Sequence, residues 1–433
     1  MLVSNNHSLL TTKYLNKYLY HNIMKLIGRK KEITYINETF TSKKPEVLLI
    51  YGRRRLGKTT LLKHCLPKKS LYFLCTQESS LQNLQAFKEE LAKILKNPLI
   101  ADSKAQTWVS FFQSVIDFIP KHFIFAFDEF PYLVSKDSSI PSQFQKIIDE
   151  YLKPHNISIV LCGSSLSIMK NLQGYTSPLY GRRTKALNLK PFTLKESLEY
   201  LKDMTKIDAC KCHLALGGVP YYFEQLNTNH SFEKNIKNLF FVTTGIFIDE
   251  PQFLLQSEFK EIQNYLNILK TITKGKTTFT EISDVTFIEK GSLSKYLTIL
   301  QNLELIQTQI SFFAKQNSKK TRYIVTDNFL YFYFALKQEK SIQTILGYLF
   351  EKEVRTIFSK KYPDARPYFQ KEVEIDLLYT DTEIHCVEIK LSKDKRDILS
   401  SLEKKIQYLP KNTYKLHTIT LKDDIPYLLK LID

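Results

Sequence analysis

No run of about 18 apolar residues occurs in the 433-residue sequence, so no spanning helix is expected. The first 23 residues, MLVSNNHSLLTTKYLNKYLYHNI, lack the compact apolar core of a secretory signal, because Lys13 and Lys17 interrupt it. They read as a loose extension, with Met24 as an alternative start. Cysteine is sparse and scattered: Cys65, Cys75, Cys162, Cys210, Cys212 and Cys386. Only Cys210-x-Cys212-His213 forms a cluster, and no second ligand pair answers it as a zinc site requires. Free thiols in a reducing cytoplasm are the expectation. Neither an internal repeat nor a low-complexity linker divides the chain.

What is present in excess is positive charge. Lys and Arg number 62 against 44 Asp and Glu, a formal net charge of +18. Two readings stay open. One is a surface that attracts polyanions such as nucleic acid, nucleotides or anionic membrane; the other is a lysine-rich proteome. Otherwise the composition, 43% hydrophobic and 24% charged, is that of an ordinary soluble globular protein. The length predicts roughly two to four domains.

From Met24 the pattern becomes globular. Ile33, Ile36 and Phe40 recur at helical spacing, which predicts an amphipathic helix over 30–42. Apolar runs at 47–51, 71–75, 123–127 and 157–162 read as strands buried on both faces. Helices are expected over 80–97, 106–118 and 141–152. This alternation predicts an α/β doubly wound parallel sheet, in which ligands sit beyond the carboxyl ends of the strands. After Pro191 the pattern turns mainly helical to about residue 250.

The segment Gly52-Arg53-Arg54-Arg55-Leu56-Gly57-Lys58-Thr59 fits G-x-x-x-x-G-K-[ST] without a mismatch. Its glycines let backbone N–H groups turn toward phosphate oxygens, and the helix opened by Thr60 offers its positive end to the same anion. Lys58 adds a point charge, and the Thr59 hydroxyl suits Mg²⁺. ATP and Mg²⁺ are therefore the expected cofactors. Asp128 and Glu129 close the third strand; the first suits Mg²⁺ and the second an attacking water. Ser164, with Ser165, follows the fourth strand, as a group that senses the γ-phosphate or fixes the lytic water, or as plain turn chemistry. Arg182, beside Arg183, is a candidate to reach the γ-phosphate in cis or from a neighbouring copy in a homo-oligomer; the bland reading is a solvated turn.

Together with Ile27-Gly28-Arg29-Lys30-Lys31-Glu32, Phe130-Pro131-Tyr132, Cys162-Gly163 and Leu189-Lys190-Pro191-Phe192, these motifs resemble the archaeal-type ATPase family of the STAND branch of AAA+-related P-loop proteins. The resemblance implies that Gly28 and Arg29 lie near the adenine. It also implies that Asp128 and Glu129 form the Walker B pair and that residues 193–250 make a helical lid. An extra lysine precedes Glu32 where the family has Glu-Leu after Gly-Arg.

Two further segments carry signals. Residues 279–325 read as helix, turn, helix and hairpin, and resemble a winged helix. Leu293, Leu297 and Leu300 face inward, and the basic Lys315–Lys320 forms the wing tip. Such a unit contacts DNA or serves protein contacts alone. In the tail, Asp376, Glu388 and Lys390 give D-x11-E-x-K across a hairpin, with Glu351 near the start of a preceding helix. This resembles the PD-(D/E)xK nuclease fold. Glu351, Asp376 and Glu388 are its expected metal ligands, and Lys390 the group that stabilises charge. An inactive relative used for binding is the alternative.

The expected layout is an extension (1–24), a P-loop ATPase core (25–190), a helical lid (191–256), a winged helix (257–338) and a restriction-endonuclease-like α/β domain (339–433). The expected function is an ATP-driven switch on nucleic acid, with DNA as a partner. The alternative is a nucleotide-regulated scaffold that does not cut.

Overall fold

The computed structural model describes residues 26–315, 321–370, 373–410 and 412–432. The expected N-terminal extension and residues 316–320 of the expected wing tip lie outside them. The chain divides into two compact units, one ending at Lys190 and the other beginning at Pro191.

In the first unit, helix α1 (Lys30–Phe40) precedes strand β1 (Val47–Tyr51), and α2 (Lys58–Cys65) leads to β2 (Ser70–Leu74). Then come α3 (Ser80–Leu95), α4 (Trp108–Val115) and β3 (Ile124–Asp128). Helices α5 (Pro131–Lys136) and α6 (Ile140–Lys146) follow, then β4 (Ser158–Gly163), α7 (Leu166–Asn171) and β5 (Lys185–Asn188). The strands form one parallel sheet in the order β2-β3-β4-β1-β5. β1, β3 and β4 are almost wholly buried, which is why each reads as an unbroken apolar run.

Caps define several helix starts. Ser79 and Gln82 form a reciprocal capping box at α3, and Thr107 and Ser110 do so at α4. The helix expected over 106–118 is shorter, because the chain tightens into a 3₁₀ turn at Ile116–Phe118. The one expected over 141–152 widens into π-helical turns from Ile147. β5 has no counterpart in the expectation. Its four residues, KALN, are half-buried and too short for a period to be visible.

One face of the sheet packs an aromatic cluster. Phe87 stacks on Phe127 at 5.1 Å and meets Trp108, Phe111 and Phe73 edge-on. This cluster fixes β3, and through it the acids at its end.

The second unit starts with α8 (Leu194–Tyr200), α9 (Lys206–Leu216), α10 (Pro220–Phe223), α11 (Phe232–Phe240) and α12 (Glu250–Gln256). Three helices follow, α13 (Gln263–Thr273), α14 (Phe279–Thr286) and α15 (Lys290–Asn302), then the antiparallel pair β6 (Ile306–Ile310) and β7 (Thr321–Val325). On α15, Leu293, Leu297 and Leu300 are buried, while Ser294, Lys295 and Thr298 are exposed. Helix α16 (Asn328–Leu336) carries the aromatic run FLYFYF into the core, where Phe329 packs on Tyr222, Phe240 and Phe247.

The tail comprises α17 (Ile342–Lys361), β8 (Arg366–Gln370), β9 (Val373–Thr380), β10 (Ile384–Lys390), α18 (Lys395–Ile406), β11 (Tyr414–Thr420) and α19 (Leu421–Ile432). Its sheet runs β11-β10-β9-β8, with β8, β9 and β10 antiparallel and β11 parallel to β10. Glu351 lies in the middle of the 20-residue α17, not near its start. The helix begins at the Ser341 cap, which the apolar periodicity does not reveal.

The aromatic cluster makes a stability prediction. Phe87→Ala should cost about 3–5 kcal/mol by leaving a cavity among its rings. Chemical denaturation followed by tryptophan fluorescence reports on it directly, because Trp108 is a neighbour.

Candidate functional site

β3, β4 and β1 lie side by side and parallel, so the loops after them open on one edge. Gly52 and the phosphate-loop motif follow β1, Asp128 and Glu129 end β3, and Ser164 follows β4. The loop leaves β1 at Gly52 with φ +154, where a Cβ would stand 2.4 Å from the Leu189 carbonyl oxygen. Gly57 holds φ +82 as the residue before α2, with open space around it. Arg55, between them, is also left-handed.

Lys58 is buried and donates from Nζ to the Gly52 and Arg53 carbonyls at 2.8 and 2.9 Å. Burial lowers its pKa, against the pull of Cys162, Glu129 and Asp128. Asp128 is fully buried and gathers three donors: Thr59 Oγ1 at 2.6 Å, Tyr72 OH at 2.9 Å and the Glu129 N–H at 3.0 Å. Burial and the Asp128 carboxylate push the Tyr72 phenol up, so it stays a donor. Leu56 is buried, Thr60 is exposed on the first turn of α2, and Arg54 donates to Tyr132 OH at 2.9 Å. A phosphate and a hard cation fit this donor set: an ammonium, a hydroxyl and a carboxylate converge beside a helix N-terminus.

Glu129 adopts φ +51, an uncommon conformation for a residue with a side chain. Its Oε2 accepts from Ser164 Oγ at 2.8 Å and from the Ser164 N–H at 3.3 Å. Ser165 instead caps α7. Ser164 thus meets the acid, and Ser165 serves turn chemistry.

One expectation needs correction, that of Arg182. The Arg29 guanidinium, for its part, is directed into the protein. It is buried, and it donates to the Lys190 carbonyl at 2.7 Å and the Leu56 carbonyl at 3.2 Å while pairing with Glu32 at 3.1 Å. It therefore braces the phosphate loop against the segment that leaves the unit; the backbone of the neighbouring Gly28 is left-handed. Arg182 cannot serve the phosphate in cis. It precedes β5, whose first residue Lys185 pairs with Leu48 at the start of β1, so it lies beyond the amino ends of the strands. There it pairs with Asp149 at 3.0 Å.

In the tail, Glu351, Asp376, Glu388 and Lys390 do come together. Pairing of β9 with β10 runs to Leu377–Val387, and Asp376 then turns its carboxylate onto the Ile389 N–H at 2.8 Å. Lys390 Nζ stands 2.8 Å from Asp376, 3.2 Å from Glu388 and 3.7 Å from Glu351. These acids outweigh the effect of burial and raise the Lys390 pKa. Burial, then Asp376, raises Glu351 to about 7. As arranged, the acids do not fit a metal ion: among the described residues no three metal-binding side chains cluster around one point. Two cations with no place in the motif complete the group. Lys405, from α18, pairs with Glu388 at 2.6 Å, and Arg355 donates to the Asp376 carbonyl at 3.2 Å. Neither has a signal in the sequence beyond being a charged helical residue. His385, beside the strand, stacks on Tyr379 and bonds His417 at 2.8 Å.

The parallel sheet and the donors at its carboxyl edge define a P-loop ATPase fold. The family described as an ATPase domain predominantly from Archaea matches residues 26–226. An uncharacterized protein of Methanocaldococcus jannaschii, MJECL04, is 33% identical over 312 residues, 71% of this chain and 68% of that one. An uncharacterized ATP-binding protein of the same organism, MJ0423, is 33% identical over 51 residues, 12% of this chain and 86% of that one. Among solved structures, the Walker-type ATPase PABY2304 of Pyrococcus abyssi aligns with a TM-score of 0.54 at 20% identity, over 72% of this chain and 97% of that one. The chain belongs to this archaeal ATPase-domain family. No helix among the described residues is long and apolar enough to cross a membrane.

The brace at Arg29 makes the next prediction. Losing a buried charge-assisted contact costs about 1.5–3 kcal/mol. Arg29→Ala should therefore weaken ADP binding by about tenfold or more in calorimetry, although the guanidinium is directed at protein carbonyls.

Proposed function

We propose that this chain hydrolyses ATP and uses the nucleotide state as a switch on a nucleic-acid-directed second unit. The observation that carries the ATPase reading is the convergence of Lys58, Thr59, Asp128, Glu129 and Ser164 at one sheet edge. ATP supplies the β–γ anhydride, and magnesium supplies charge neutralisation when bound with it. Lys58 turns its ammonium from the loop carbonyls toward phosphate. Thr59 and Asp128 provide hydroxyl and carboxylate oxygens, the ligand type that a hard cation prefers. Glu129 orients the attacking water and accepts its proton, and Ser164 sets where that carboxylate rests. Free cysteine thiols throughout agree with a cytoplasmic setting.

The nucleic-acid reading of the second unit rests on three features. The order α13–α14–α15–β6–β7 suits a winged helix, with Ser294, Lys295 and Thr298 on the open face of α15. The chain is strongly basic. The tail gathers Glu351, Asp376, Glu388 and Lys390 in one cavity of about 630 Å³. One observation favours the second reading, a scaffold that does not cut: Lys390, Lys405 and Arg355 already pair with the acids.

Steady-state phosphate release tests the first reading. Glu129→Gln should lower it by about 100–10,000-fold while nucleotide still binds; Lys58→Ala should lose binding. Release unchanged in Glu129→Gln would overturn the assignment.

The tail is tested with plasmid DNA and RNA in Mg²⁺, with and without ATP. Cutting that disappears in Asp376→Ala and in Lys390→Ala supports a nuclease. Wild type that cuts neither substrate favours the scaffold.

A further inference from the structure

The acids of the tail are matched, charge for charge, by side chains of the same unit. Glu351, Asp376 and Glu388 face Arg355, Lys390 and Lys405. Glu281, Arg322 and Glu374 line the rest of the cavity.

Glu388 is the least comfortable member. Its side chain is 3% exposed, and both lysines converge on Oε1, at 2.6 Å from Lys405 and 3.2 Å from Lys390. Oε2 is enclosed and has no hydrogen-bond partner. A buried carboxylate oxygen left this way is costly, and a hydrogen-bond donor or a cation would relieve it.

The two lysines are held differently. Lys390 sits on β10 and is anchored to Asp376 and Glu351 as well. Lys405 comes from the last turn of α18 and forms an ion pair with Glu388. Its side chain is 29% exposed, and its flexible stem can carry the ammonium into water.

We propose that Lys405 is a built-in latch, a tethered cation that occupies Glu388 in place of a divalent ion, so that the centre takes up such an ion only when Lys405 is withdrawn. This rests on the reading of the tail as a nuclease-like centre and supplies its regulation. Withdrawing Lys405 leaves a net negative charge on the group and removes the closer of the two ammonium groups from Glu388 Oε1. The latch also reconciles a motif of metal-binding acids with an arrangement in which lysines stand between them. Any partner that pulls the end of α18 outward, or pairs with Lys405 through an anion such as a nucleic-acid phosphate, would release it.

The test is Mn²⁺ binding to the full chain without nucleotide, read by calorimetry, with thermal melting as a check on folding. The variants are Lys405→Ala, Lys405→Arg, Asp376→Asn and Lys405→Ala with Asp376→Asn. Lys405→Ala should bind Mn²⁺ at least tenfold more tightly than wild type. Lys405→Arg should behave as wild type, and adding Asp376→Asn should remove the gain. Equal Mn²⁺ binding by wild type and Lys405→Ala, lost in Asp376→Asn, would overturn the latch and keep the cation centre. A gain that survives Asp376→Asn puts the ion elsewhere and also overturns it. Absence of Mn²⁺ from every form removes both the latch and the metal-dependent nuclease reading.

Discussion

Three parallel strands lying side by side, β3, β4 and β1, place the whole nucleotide edge. Their pairing brings the end of a buried strand, Asp128, within 2.6 Å of a hydroxyl 69 residues earlier, at Thr59. It also sets Ser164 on Glu129, 35 residues apart. None of these side chains has a local reason to meet. The ladder supplies the reason, and the aromatic cluster around Phe87 and Phe127 holds β3 in the ladder. The polar contacts at the edge therefore depend on apolar packing several residues inside it.

Much of that edge is legible in the sequence. The strand runs VLLIY, IFAFD and SIVLCG are continuous because both faces are covered, and each is followed by the residue type the chemistry requires. What is not legible is direction and partnership. Arg29 and Arg182 each stand in a suggestive context, and each is turned to a structural use. For Arg29, the deciding fact is that Leu56 and Lys190 present carbonyls to the same spot. For Arg182, it is the parallel register of β5, a four-residue strand with no visible period. Tyr72, a donor to Asp128, is equally silent, since alternation on a strand says which face a residue takes and not what waits there.

The same limit holds in the tail, with the opposite outcome. Spacing alone puts Glu388 and Lys390 on one face of a strand, and the hairpin brings Asp376 to them. It says nothing of Lys405, 15 residues beyond Lys390 on a helix whose pattern reads as an ordinary solvated surface. Yet Lys405 makes one of the shortest ion pairs in the group. A motif defines which groups carry a chemistry. The helices packed beside it decide whether those groups are available.

The two sites differ in how their charge is balanced. At the nucleotide edge, Lys58 is held by neutral carbonyls, and its positive charge is opposed only at a distance, by Glu129 and Asp128. Burial already weighs against that charge, so an anion arriving there relieves a standing cost. In the tail, Glu351, Asp376 and Glu388 each have a cation beside them, and an arriving cation must first displace one. The first arrangement is poised to bind and the second to refuse. Under the proposed ATP switch, that difference leaves one centre ready for its ligand and the other held by its own side chains until something else moves.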